Sequence, residues 1–263
     1  MTTLTIEPQM LEFAGLSANH SPAAIKILRE YPNKIDWEIL STNASNEAIE
    51  LLIENQDKIK WYALSSNNSP KAVKLLEDNL DKIHWSNLSA NNSSEAIKLL
   101  KTISHKLINW ENISANPCFE ALQILQENKN KINWDYLSCN IKAVHLLREN
   151  PDKINWYGLS SNSSLEAIKL LEENPDKIDW DILSGNTSTE AGKLLMKNQD
   201  KISWYYLSRN CSVEAIQLLK ENIDKIDWSQ LSLNNSVEAI QLLKENPSKI
   251  DWHNLSQNMY IFN

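Results

Sequence analysis

Between Ser164 and Glu173 the chain places Ala167, Ile168, Leu170 and Leu171 at i, i+1, i+3 and i+4. That spacing lines one face of an α-helix about nine residues long. Ser164 suits the N-cap of this helix, and Glu166 puts negative charge in its first turn. Asn174-Pro175 is expected to close it, because Asn tolerates the left-handed conformation that ends many helices and Pro cannot continue one. A second cap, Asp179, then opens a short segment in which Trp180 and Leu183 form a helical i, i+3 pair. The hydrophobic pattern therefore predicts two helices, one long and one short.

The same wording recurs along nearly the whole chain. Ten tryptophans run from Trp37 to Trp252 at steps of 24 residues, apart from a step of 25 into Trp110 and one of 22 into Trp156. Phe13 stands one step before the first. A fixed period in this range marks a solenoid, in which each repeat packs mainly on its neighbours. The competing reading is a strand-bearing leucine-rich-repeat horseshoe, which Trp-x-x-Leu-Ser-x-Asn resembles on the surface. The helical spacing of Trp180 and Leu183 argues against it. The expected fold is an all-α solenoid of about ten 24-residue repeats, each with one long helix and one short or 3-10 helix. It is read as a single domain over residues 1–263. Residues 1–30 form an N-terminal cap repeat with its helix from Pro22 to Glu30, and residues 253–263 form a C-terminal cap. Met1 to Gln9 fits no repeat and reads as a lead-in.

Three ladders follow from the period. A fully buried Trp removes ~150–250 Å² from water and contributes roughly 4–6 kcal/mol, so core packing is the expected role of the tryptophans. Six residues after every Trp, from Asn43 to Asn258, stands an asparagine. A polar residue held so strictly is expected to satisfy turn backbone or the next repeat, since an unpaired buried polar group costs about 1–3 kcal/mol. Four residues after every Trp, from Ser41 to Ser256, stands a serine, expected to cap or back-bond in the short helix.

Two neighbouring repeats break the pattern. Lys101 to Asn109 is one residue longer than the standard link and lacks its Asn-Pro-Asp turn, while Asn140-Ile141-Lys142-Ala143 drops two residues and the usual Ser-x-Glu cap. These changes read either as drift in a tolerant repeat or as a local change of path that shapes a binding surface around Trp110 to Leu147.

The full unit, Asn-Pro-Asp-Lys-Ile-Asp-Trp-x-x-Leu-Ser-x-Asn-x-Ser-x-Glu-Ala-Ile-x-Leu-Leu-x-Glu-Asn, resembles a tandem repeat of many proteins of mimivirus-like giant DNA viruses. The likeness covers Phe13 to Asn258 and is nearest at Asn150–Trp156, Asn174–Trp180 and Asn246–Trp252. It implies origin and architecture, and it carries over no functional residue. In period and helix layout the unit is also similar to the leucine-rich variant repeat, which supports the fold alone.

Composition narrows the function classes. A net charge of −8 argues against generic nucleic-acid or anionic-membrane binding. The first residues lack a basic region followed by an apolar one, and no apolar run approaches the ~18 residues of a span, so a cytoplasmic or virion-associated protein is expected. Cys118, Cys139 and Cys211 are odd in number and fit reduced thiols. Neither a phosphate-cradling glycine loop nor a nucleophile-elbow or zinc-protease motif occurs, so no enzyme, cofactor or metal site is expected. His84 and His105 are the histidine pair to inspect. The Asn-x-Ser sequons arise from the repeat and read as ladder residues.

Function is therefore sought at the variable positions. One or two residues after the tryptophans come Tyr62, Tyr136, Tyr157, Tyr205 and Tyr206 among Glu38, Glu111, Asp135 and Asp181. Facing outward, they would form an acidic stripe with aromatic anchors, the composition of a protein-recognition surface. The alternative is that the rings only cover the short-helix layer. A second row on the long helices, from Lys26 to Gln241, mixes charges and reads as a solvated face. The sequence thus points to a non-enzymatic scaffold that binds protein partners, with a structural component self-associating through its ends as the alternative.

Overall fold

A computed structural model describes residues 11–102 and 107–258. The lead-in at residues 1–9, His105 and the last five residues of the expected C-terminal cap lie outside the described residues. The described chain is all-α, with no strand.

The local rules operate as the pattern predicts. Ser164 Oγ accepts the Ala167 N–H at 3.2 Å and starts the helix Leu165–Glu172. Asp179 Oδ1 accepts the Ile182 N–H at 3.1 Å and starts the helix Trp180–Gly185. Between them the Pro-Asp-Lys stretch forms a 3-10 turn, Pro175–Lys177, so each regular repeat is long helix, 3-10 turn, short helix.

One expectation about the helix end is corrected. Asn174 is not left-handed: its φ and ψ are −134° and 61°, and no described residue has a positive φ. The last turn of a helix leaves carbonyls without an N–H partner. Here the side chain supplies one, with Asn174 Nδ2 donating to Leu170 O at 2.8 Å. The same bond recurs at Asn55, Asn79, Asn128, Asn150, Asn198, Asn222 and Asn246. Asparagine acts here through its amide rather than through its backbone freedom.

The chain divides into two compact bodies, residues 1–133 and 134–263. In the first, the short helix Phe13–Ala18 packs beside Trp37–Thr42, and the long helix Pro22–Glu30 packs beside Asn46–Glu54. In the second, Trp156–Ser161, Trp180–Gly185 and Trp204–Arg209 stack in one layer, with Leu165–Glu172, Thr189–Lys197 and Val213–Glu221 in the other. The core lies between the layers. Ala167, Ile168, Leu170 and Leu171 enter it from the long helix and Leu183 from the short one, and all are buried.

The tryptophans do not form that core, which is the second correction. None of the ten is fully buried; nine are half-buried and Trp252 is 67% exposed. Each Trp is the first residue of its short helix and lies at the layer's edge, so one side of the ring meets solvent and the full burial energy is not reached. The Trp204 ring carries Lys225 Nζ 4.9 Å from its centroid, a cation–π contact at this edge. Three and four residues after Trp180, Leu183 and Ser184 are completely buried.

Serine and asparagine tie repeat to repeat. Ser184 Oγ donates to Trp180 O at 2.7 Å and accepts the Ser203 N–H of the next repeat at 3.0 Å. Asn210 Nδ2 donates back to Ser184 O and Asn186 O, both at 3.0 Å, while its Oδ1 accepts the Ser212 N–H at 2.9 Å. The first body repeats the arrangement, with Asn67 donating to Ser41 O and Asn43 O. It survives the one-residue insertion before Trp110, where Asn109 N–H still reaches Ser89 Oγ at 3.1 Å. A side chain buried this deeply and bonded on both ends explains why the position tolerates no other residue type along this chain.

Candidate functional site

All nine residues singled out at the variable positions are exposed. The five tyrosines are 42–61% exposed. They sit in the first turn of the short helices, one or two residues past the Trp, where the helix axis and the buried Leu fix the opposite side inward.

In the first body, Tyr62 and Glu38 come together from successive repeats. A hydrogen bond to the Glu38 carboxylate raises the pKa of the Tyr62 hydroxyl above its ordinary value, because the bond favours the protonated phenol. Glu111 is exposed two repeats further along and joins neither of them. In the second body, the Tyr205 and Tyr206 rings pack edge to face, with centroids 5.2 Å apart and planes at 86°. Asp181 lies exposed in the first turn of the helix Trp180–Gly185.

Asp135, Tyr136 and Tyr157 form a grouping of three. With Cys139, Asn155 and Gly158 they line a shallow depression of about 200 Å³. Asn155 organises it, as its Nδ2 donates to Asp135 Oδ1 at 2.7 Å and its Oδ1 accepts the Gly158 N–H at 3.1 Å. The first bond aims the carboxylate and the second starts the helix Trp156–Ser161. Gly158 is buried and lets two helices meet closely beside the depression. A Cβ there would meet Cys139 Sγ at 3.1 Å, Ser138 Cβ at 3.2 Å and Asp135 O at 3.3 Å. The corresponding positions of later repeats carry Ile182, Tyr206, Gln230 and Asn254. The sequence held one signal for this site: a glycine at that position, directly after the 22-residue step.

Two further features escaped the pattern. Cys118 stands where the long helix Phe119–Glu127 would take a serine cap, and its thiol donates to Glu120 Oε2 at 2.8 Å while Ser94 Oγ donates to Oε1 at 2.5 Å. These two bonds hold the Glu120 pKa down at about 2, and burial raises that of the Cys118 thiol. Along the long helices of the second body, Leu165, Val213 and Val237 are exposed apolar residues at the first helical position. Val213 also lines, with Ile216, Gln217, Lys220 and Glu238, a depression of about 240 Å³.

No three His, Cys, Asp or Glu side chains converge as a metal site among the described residues, where His84 caps the helix Trp85–Ala90 by accepting the Asn87 N–H. No described helix is long and apolar enough to cross a membrane.

These features define an all-α repeat protein of the solenoid class, with a hydrogen-bonded interior and an exposed tyrosine and carboxylate face. Comparison with protein-family models, curated proteins and solved structures finds no match to this chain.

Proposed function

We propose that this chain is a non-enzymatic repeat scaffold that binds protein partners through the exposed face of its short helices. The observation that carries the reading is the exposure of all five tyrosines and of the four carboxylates Glu38, Glu111, Asp135 and Asp181, on helices whose opposite side is locked into the core. A tyrosine held on a rigid helix has little conformational entropy left to lose on binding, so it serves well as an anchor at an interface. The carboxylates adjust specificity and association rate toward basic partners. The likeness of the repeat to those of giant DNA viruses makes host cytoplasm or virion the place where such partners are sought.

The test is quantitative affinity capture from amoebal extract. It compares the wild-type chain with a folded variant carrying Tyr62→Ser, Tyr205→Ser and Tyr206→Ser. A partner retained by the wild type and lost by the variant is the expected result. Equal retention by both would remove the tyrosine face from the account.

A further inference from the structure

Gly158 follows the two-residue deletion in the chain. The helix Trp156–Ser161 lies so close to residues 134–139 that any Cβ at position 158 would touch three atoms within 3.3 Å. Beside this close contact lies the notch, lined by Asp135, Tyr136, Cys139, Asn155, Tyr157 and Gly158. Its volume, about 200 Å³, is below the roughly 300–1,000 Å³ of small-molecule and cofactor sites. A single anchoring side chain from a partner suits that scale better.

The lining specifies which side chain. Tyr136 and Tyr157, 44% and 61% exposed, supply aromatic surface to its lining. Asp135 supplies an exposed carboxylate, held in place by the 2.7 Å bond from Asn155. No basic residue is among the six that line the notch. Aromatic faces beside a fixed carboxylate attract a cation, and arginine fits best: its planar guanidinium stacks on a ring and bonds a carboxylate through two N–H groups at once. A lysine ammonium has no plane to stack and is more strongly hydrated. The chain's net charge of −8 favours a basic partner at longer range.

We propose that the notch at Gly158 seats one arginine side chain of a partner protein, with Tyr136 and Tyr157 as walls and Asp135 as counter-charge. The inference rests on the scaffold reading and names the chemistry of its partner. The carboxylate is already aimed before the partner arrives, which lowers the ordering cost of the contact.

The experiment titrates the isotopically labelled full chain with glycine-flanked peptides that differ only in one central residue: arginine, lysine, citrulline or glutamate. Shifts of the Gly158 amide and of the Asn155 side-chain amide report binding. The arginine peptide is expected to give saturable shifts at both, and the uncharged but isosteric citrulline peptide to bind at least about tenfold more weakly. Asp135→Asn is expected to reduce the arginine peptide to the citrulline level. Equal binding of arginine and citrulline peptides, or no saturable shift at Gly158 with any peptide, would overturn the proposal. Lysine binding as tightly as arginine would overturn the guanidinium assignment. The capture variant leaves Tyr136, Tyr157 and Asp135 intact, so the two ideas fail separately. Partner loss in that variant without a peptide response at Gly158 removes the notch and keeps the scaffold. Partner retention with an arginine response keeps the notch and removes the wider face.

Discussion

The repeats that begin at Trp134 and Trp180 lie in the same body and differ by two residues. After Trp180 the chain continues into the nine-residue helix Thr189–Lys197, capped by Ser188. After Trp134 it continues into the six-residue helix Val144–Glu149, preceded by Ala143 with no side-chain cap. Inside, much less changes. Ser138 Oγ accepts the Asn155 N–H at 3.0 Å, as Ser184 Oγ accepts that of Ser203. Asn140 Oδ1 still accepts the N–H two residues on, now from Lys142, at 3.0 Å. The loss falls on one rung: Asn210 reaches two carbonyls of the repeat before it, whereas Asn162 reaches Ser138 O alone. A deletion here is absorbed by the outer helix and the surface, because the interior rungs are buried and each broken one leaves polar atoms without water. Variation therefore collects where a partner could meet it.

The largest effect expected from this contrast is at the rungs themselves. Asn210→Ala should cost about 2–4 kcal/mol, since it strands two buried carbonyls and leaves a cavity. Asn162→Ala should cost about 1 kcal/mol less, one rung being absent already. Thermal unfolding of both variants checks this, and equal costs would break the comparison.

Glycine gives the next contrast. Gly158→Ala should destabilise by about 1–2 kcal/mol through crowding against Cys139, Ser138 and the Asp135 carbonyl. Gly185→Ala meets only Tyr206 Cβ, at 4.0 Å, and should stabilise by up to about 1 kcal/mol through its helix preference. Denaturant midpoints of the pair should move in opposite directions.

The smallest effect concerns an altered cap in the first body. Glu120, bonded by Cys118 and Ser94, has a folded pKa of about 2, below that of a free carboxylate. Its contribution to stability is therefore complete above the ordinary carboxylate range and is lost as pH falls through about 2. Melting temperatures of the wild type and Glu120→Gln should differ at neutral pH and converge toward pH 2; a constant gap would show that the bonds do not depend on the charge.

The repeat length, the two helices, the Ser164 and Asp179 caps and the apolar face from Ala167 to Leu171 were all legible in the sequence, because each depends on spacing within a few residues. Depth was not. The recurrence of Trp180 and its counterparts looks like a core ladder, yet the interior belongs to Leu183, Ser184 and Asn186, because position on the helix decides burial and hydrophobicity alone does not. Asn174 was legible as a helix end but not as an amide that bonds the carbonyl four residues back, since two mechanisms favour the same residue there. Of the candidate site, the period located the tyrosines but left open whether they face outward or cover the short-helix layer. The grouping of Asp135, Tyr136 and Tyr157 did not follow from the period, because it arises from how closely two helices approach after a deletion.

The asparagine rungs also have a direction. Within each body the amides donate toward the repeat that precedes them in the chain, as from Asn186 to Ser160 and Asn162 or from Asn67 to Ser41 and Asn43. A ribosome releases the earlier repeat first. At ~5–20 residues per second a new 24-residue repeat emerges every few seconds, roughly 1–5 s. Within each body, then, the acceptors are in place when their donors arrive, and synthesis can proceed by adding one repeat to a finished edge. Growth from the other end would present amides with nothing to bond.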